Sequence, residues 1–256
     1  MVKYSRGNSM YMTKSNEDEN SNAMRFITAY NTIDNALRSI YNFKRSMTYA
    51  DMIRRASNLN YVVRKYEDKL IDYGRLRNAI VHSSYEDVVI AEPHIDVLEE
   101  FEKIAALLST PPKAISTIAT RDVITLQANT PVREVLKTMS KRGYKNIPIY
   151  EDDALIGVAN AGKLAETLGS ALLACENLQD FVDETSIGDI LMQTVDENYY
   201  VITNSKVTIE QIMELFNTNR KLLVILITQN GNNLDKPLGI ITVGDVVDMN
   251  KILDLY

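Results

Sequence analysis

Apolar residues in the first hundred positions return every three or four places, the period of a helix with one buried face. Phe26, Tyr30, Ile33, Leu37 and Ile40 form the first such stripe. Thr48, with Asp51 three residues on, reads as an N-cap and opens a second helix carrying Met52, Ile53 and Ala56. Val62, Val63, Tyr66, Leu70, Tyr73, Leu76 and Ile80 predict a third helix from about Leu59 to His82, with Gly74 as its expected weak point. Val88 to Ile90 reads as a short extended piece. Pro93 then suits the first turn of a last helix bearing Ile95, Leu98, Phe101, Ile104 and Leu108. Short connections predict an antiparallel bundle over residues 24–108, preceded by a polar tail, residues 1–23.

Ser109-Thr110-Pro111-Pro112-Lys113 stops the helical pattern, because neither proline continues a helix. Beyond it short strands alternate with short helices, and the order occurs twice. Val123–Leu126 matches Tyr200–Thr203, and the helix of Val132, Val135, Leu136 and Met139 matches that of Ile209, Ile212, Met213 and Phe216. Asn146–Ile149 matches Leu223–Leu226, and Leu155–Val158 matches Leu238–Ile241. Neither repeat can bury both faces of its own sheet, so the two are expected to pack face to face.

The order of strand, Thr-Pro-led helix, proline-bearing strand, Leu-Ile-Gly-Val strand and closing helix resembles a cystathionine-β-synthase (CBS) repeat. Thr130-Pro131-Val132 and Asn146-Ile147-Pro148-Ile149 carry the likeness in the first repeat, and Pro237 to Val247 in the second. The resemblance implies an α+β chain: a helical bundle, then tandem β-α-β-β-α repeats at residues 114–180 and 181–256. It also implies an adenine nucleotide (AMP, ADP or ATP) held between the repeats as a regulatory ligand, and a homodimer; the single cysteine fits reduced, cytoplasmic surroundings, and the lack of a Cys/His cluster predicts no metal requirement. In such repeats a Gly-x-x-Thr-x-x-Asp motif closes the cleft, its carboxylate accepting from the ribose hydroxyls. Here the motif is Gly239, Thr242 and Asp245; the same spacing also makes a helix cap. The first repeat has Asn160 and Lys163 instead, and an ammonium only donates. Arg142, Lys145 and Lys163 are therefore candidates for a polyphosphate tail.

Composition sharpens this picture in two places. Residues 113–256 hold 13 basic and 19 acidic side chains, whereas residues 1–112 balance 15 against 15. Within the latter, Arg38 to Arg77 carries ten basic and four acidic residues, a surface for a polyanion or simply a solvated one. In the same region Arg77, Asn78 and His82 resemble the Arg-polar-x-x-x-His motif of HEPN bundles, many of them metal-independent ribonucleases formed by paired protomers. RNA is accordingly a candidate partner, with His82 as the proton-transfer group and Arg77 stabilising charge on phosphorus; the alternative is a packing or dimer-forming role. His94 reads as an ordinary first-turn residue, and the single cysteine, Cys175, as a packing residue with no disulfide partner. The longest apolar run, Leu222–Ile227, is too short to cross a bilayer, and no secretory leader is recognisable, so neither membrane nor export is expected.

Overall fold

The structure is a computed structural model of the 256-residue chain, described over residues 21–82, 92–174, 177–193 and 198–255. Val88–Ile90, Cys175 and residues 1–20 of the predicted tail lie outside the described residues, as does the side chain of His82. The chain divides into two compact units between Thr110 and Pro111.

The first unit is helical: α1 Asn22–Tyr41, α2 Tyr49–Ala56, α3 Tyr61–Lys65, α4 Glu67–His82 and α5 Ile95–Ser109. Side chains satisfy the open N-terminal amides of several helices. Ser21 accepts from Met24, Thr48 from Asp51 and Asn60 from Val63. Phe26, Ile33, Leu37, Met52, Ile53, Leu70, Leu98, Phe101 and Ile104 make the core.

Four expectations change here. The third helix is two helices, broken at Tyr66 rather than at Gly74. Gly74 keeps its helical place because a Cβ there would come within 2.8 Å of the Tyr49 ring; it lets α2 and α4 approach. Ile40, expected on the buried stripe of α1, is 56% exposed. Pro93 lies before α5, and His94 is its N-cap, with Nδ1 accepting from Asp96 N at 3.4 Å. Finally, α1 and α5 run parallel, not antiparallel. Asn22 bonds to Glu92 and the Pro93 carbonyl, Phe26 packs on Phe101 at 4.6 Å, and Thr32 lines a groove with Ser109. Short connections constrain consecutive helices only, and these two are not consecutive.

The second unit holds two three-stranded sheets. The first has β1 Leu126–Gln127 parallel to β2 Asn146–Glu151, which is antiparallel to β3 Ala154–Asn160. The second repeats this with β4 Tyr200–Asn204, β5 Val224–Thr228 and β6 Pro237–Thr242. Helix α7 (Val132–Arg142) follows β1, and α11 (Ile209–Thr218) follows β4. The sheets share one core, in which Tyr150, Leu155 and Val158 meet Val224 and Leu226.

The strand registers correct the predicted match by one residue. Leu126 pairs with Ile149, whereas its counterpart Thr203 pairs with Ile227. Asn146–Ile149 therefore corresponds to Val224–Ile227, with a bulge after Ile149 and after Ile227. Ile147–Tyr150 and Leu222–Ile227 are continuous apolar runs, and such runs do not declare a register. Gly157 faces Ile149 and Gly239 faces Ile227, so Leu155–Val158 corresponds to Pro237–Ile240 rather than to Leu238–Ile241, while Asn160 stands at Thr242 as the motif implies.

The helix that leads into each repeat packs on the other repeat. Helix α6 (Ala114–Thr117) precedes the first sheet but joins the second: Ala114 N donates to Val207 O, and Thr120 exchanges two backbone bonds with Ile240. Helix α10 (Ile187–Gln193) precedes the second sheet but packs in the core of the first, with Gly188 N bonded to Ala128 O. The glycine in the last strand of each sheet makes room. A Cβ at Gly157 would lie 3.1 Å from Leu191, and one at Gly239 would lie 2.8 Å from Ile115 and 3.0 Å from Ala119.

Alanine in a strand ordinarily outperforms glycine. At these two sites the order should reverse. Gly239→Ala is expected to destabilise the protein by about 1–3 kcal/mol in urea unfolding, with Gly157→Ala milder; a gain in stability at Gly239 would contradict the packing described.

Candidate ligand-binding site

The parallel ladder of the second sheet is complete: all of Tyr200–Asn204 pair with Val224–Thr228. The equivalent ladder of the first sheet closes only at Leu126 and Gln127. Among the described residues, Val123 and Ile124 make no backbone hydrogen bond. Asp122 stands just ahead of them with φ of 58°, a left-handed turn that aspartate tolerates better than most residues. The chain thus swings away from the start of β2 and leaves a cavity of about 260 Å³.

Two sides of the cavity come from the first repeat: Asp122, Val123 and Ile124 on one, Gly143, Tyr144, Lys145 and Asn146 on the other. Ile240, Thr242 and Asp245 of the second repeat form the third side, together with Thr120 bridged to Ile240. Gly143, with φ of 70°, ends α7 and redirects the chain along the cavity into β2.

Thr242 caps, and Asp245 ends, a single 3₁₀ turn, Val243–Asp245, ahead of α12 (Val246–Leu253). Thr242 donates from its N (2.7 Å) and its Oγ1 (3.0 Å), both to Oδ2 of Asp245. This is the cap the spacing predicts, but it engages one carboxylate oxygen only. Asp245 lines the cavity, and neither of these bonds uses the acceptor capacity of its Oδ1.

The other predicted residues are placed apart. Gly239 does not line the cavity; it accommodates α6, which in turn positions Thr120. Lys145 lines the cavity, whereas Arg142 and Lys163 do not. The three cations therefore do not gather around one cavity. Asn160 caps α8 (Ala161–Leu173), its Oδ1 accepting from Gly162 N (3.0 Å) and Lys163 N (3.1 Å), and its amide donates to Asn146 Oδ1 at 2.7 Å. Lys163 lies with Nζ 5.8 Å from the Tyr199 ring.

In the helical unit Arg77 packs its guanidinium over Tyr30 at 5.1 Å, and Tyr30 stacks on Tyr49 at 4.3 Å. Arg77 Nε and Tyr49 Oη are buried without a partner among the described residues. Burial pushes the Tyr49 phenol well above its ordinary range. Asn78 is exposed and accepts a long bond of 3.4 Å from Arg77, and His82 is the last residue of α4. The basic stretch is partly tied locally: Arg38 to Asp34 (2.7 Å), Lys69 to buried Glu100 (2.7 Å) and Arg75 to Asp72 (2.7 Å). Lys44, Arg54 and Arg55 line a separate hollow with Asp51 as its one acid.

Asp122, Tyr144 and Thr120 were not among the residues singled out from the sequence. Only a defect in one of two equivalent ladders reveals them, and sequence pattern does not record it.

Residues 115–169 match the family model of the CBS domain. This CBS segment runs from α6 through β3 into α8, and so carries the first-repeat walls of the cavity. No curated protein matches the chain. Among solved structures, the CBS-domain-containing protein ATU1752 from Agrobacterium tumefaciens is 20% identical, covering 51% of this chain and 85% of its own, with a TM-score of 0.39. Protein MJ1225 from Methanocaldococcus jannaschii is 22% identical over 59% of this chain and 52% of its own, with a TM-score of 0.43. CBSX2, solved in complex with AMP, is 18% identical over 56% and 98%, with a TM-score of 0.41. Among the described residues, no helix is long and apolar enough to cross a membrane, and no three His, Cys, Asp or Glu side chains group as metal ligands.

Proposed function

We propose that residues 114–256 are a tandem CBS pair that senses an adenine nucleotide and thereby regulates the helical unit. The observation that carries this reading is the cavity itself. It joins the Thr242–Asp245 cap of one repeat to the unpaired Val123–Ile124 edge and Lys145 of the other. Oδ1 of Asp245 is suited to accept from ribose hydroxyls, the open backbone edge to pair with a heterocycle, and Lys145 to meet phosphate. At about 260 Å³ the space is at the small end of ligand pockets, which run to roughly 300–1,000 Å³. One lysine set against Asp122 and Asp245 favours few phosphates, so AMP is preferred over ADP and ATP. Regulation requires that the ligand bind two arrangements of the protein unequally.

Calorimetry should rank AMP above ADP and ATP. Asp245→Ala should cost about 1–3 kcal/mol, roughly 5- to 150-fold in affinity. Lys145→Ala should weaken AMP but not adenosine. Unchanged AMP affinity in Asp245→Ala would remove that residue from the site.

The protein also self-associates in this reading. Leu172 and Leu173 of α8 are 59% and 85% exposed and Val247 of α12 is 64% exposed, apolar groups suited to a second copy of the chain. Sedimentation at micromolar concentration is expected to give a dimer; a 29.0 kDa species would contradict it.

A second reading makes the helical unit a HEPN-like ribonuclease. The hollow lined by Lys44, Arg54 and Arg55 suits a polyanion, and Arg77 Nε has no partner among the described residues. RNA would then be cut in EDTA, leaving 2′,3′-cyclic phosphate ends, and His82→Ala would be slower by about 10²–10⁴. Absence of cleavage, with Arg77→Ala lowering the melting temperature, would assign the motif to packing on Tyr30 instead.

A further inference from the structure

The two repeats are equivalent in register but not in what lies between them. Thr203 matches Leu126 and Thr228 matches Tyr150, which sets Tyr199, Tyr200 and Val201 against Asp122, Val123 and Ile124. By the pairing of Gly157 and Gly239, Val158, Asn160 and Lys163 stand against Ile240, Thr242 and Asp245. The second of each set lines the cavity; the first stands in the equivalent place, its mate.

That mate is filled. Tyr199 is 6% exposed and packs with Val158, Tyr150, Leu155 and Val224. Its carbonyl accepts from Leu223 N (2.7 Å) and Val224 N (3.0 Å), continuing the ladder where the first repeat is open. Its Oη donates to the Val158 carbonyl, on the residue equivalent to cavity-lining Ile240. Lys163 Nζ lies 5.8 Å from the ring centroid. A planar ring therefore occupies the space, with strand backbone at its edge and a cation near its π system.

We infer that Tyr199 is a built-in occupant sealing a second, latent nucleotide site, and that Lys163 equips that site for phosphate rather than for a ribose diol. The inference rests on the adenine-nucleotide reading of the open cavity. It follows that the protein takes one nucleotide per chain, and that the site's chemistry changes sign between the repeats. A carboxylate accepts hydroxyl bonds where Asp245 stands, and an ammonium donates to an anion where Lys163 stands.

The test is calorimetry with AMP on the full chain, comparing wild type, Asp245→Ala, Tyr199→Val and the double variant. Valine keeps the strand preference of tyrosine while vacating the ring. The expected stoichiometries are about one, none, two and one AMP per chain. In the double variant AMP should exceed adenosine by about tenfold, and Lys163→Ala should abolish that preference. A folded Tyr199→Val protein that gains no AMP overturns the inference. So does a wild-type protein whose second AMP survives Asp245→Ala. No binding to wild type but one AMP on Tyr199→Val would sink the Asp245 cavity and uphold the sealed one. If Tyr199→Val does not fold, Tyr199→Phe carries the test. The ring remains, so one AMP per chain is expected, and two would overturn the seal.

Discussion

The site depends on a close contact between a glycine and a helix, made twice. Gly157 admits Leu191 of α10 and Gly239 admits Ile115 of α6, each helix arriving from ahead of the opposite repeat. Without that approach α6 could not lie on β6, and Thr120 could not bridge to Ile240. The bridge is what carries Asp122, Val123 and Ile124 to the side of Thr242 and Asp245. A backbone packing requirement, rather than any chemistry of binding, thus brings the two repeats' residues to one cavity. Gly239 belongs to the motif for this reason, although it does not line the space.

From that shared frame the repeats diverge through single residues. Asp122 adopts a left-handed turn and the strand after it stays unpaired until Leu126. Tyr199, in the equivalent place, drives its ring into the inter-sheet core, and its ladder closes from Tyr200 onward. A large ring gains by leaving water, on the order of 1.5–3 kcal/mol for a buried apolar side chain, whereas an aspartate gains nothing by the same move. One cleft is therefore core and the other is a cavity with exposed polar edges.

Much of this was legible in the sequence, and the failures have definite causes. Thr48 as a cap, the two α/β repeats and the Thr242–Asp245 pair all rest on local patterns, which local physics honours. The break at Tyr66, the parallel α1 and α5, and the one-residue offset of β5 are set by tertiary packing and register. The exchanged helices were invisible because sequence order assigns α6 to the first repeat and α10 to the second. The Thr242–Asp245 side of the site was recognisable from its motif. Asp122 and Tyr144 were not, since their role arises from an absence of pairing. Lys163, at the motif's Asp position in the first repeat, is grouped with Arg142 and Lys145 by charge, and geometry leaves only Lys145 at the cavity.

The central claim is that AMP occupies the unpaired edge beside Asp245. Backbone amide exchange followed by mass spectrometry tests it directly, because the Val123 and Ile124 amides have no partner among the described residues to slow them. Saturating AMP should slow exchange across Asp122–Ile124 and Tyr144–Asn146, and leave the already paired Tyr200–Thr203 segment unchanged. Protection confined to Tyr200–Thr203, or no change at Val123 and Ile124 with AMP bound, would contradict it.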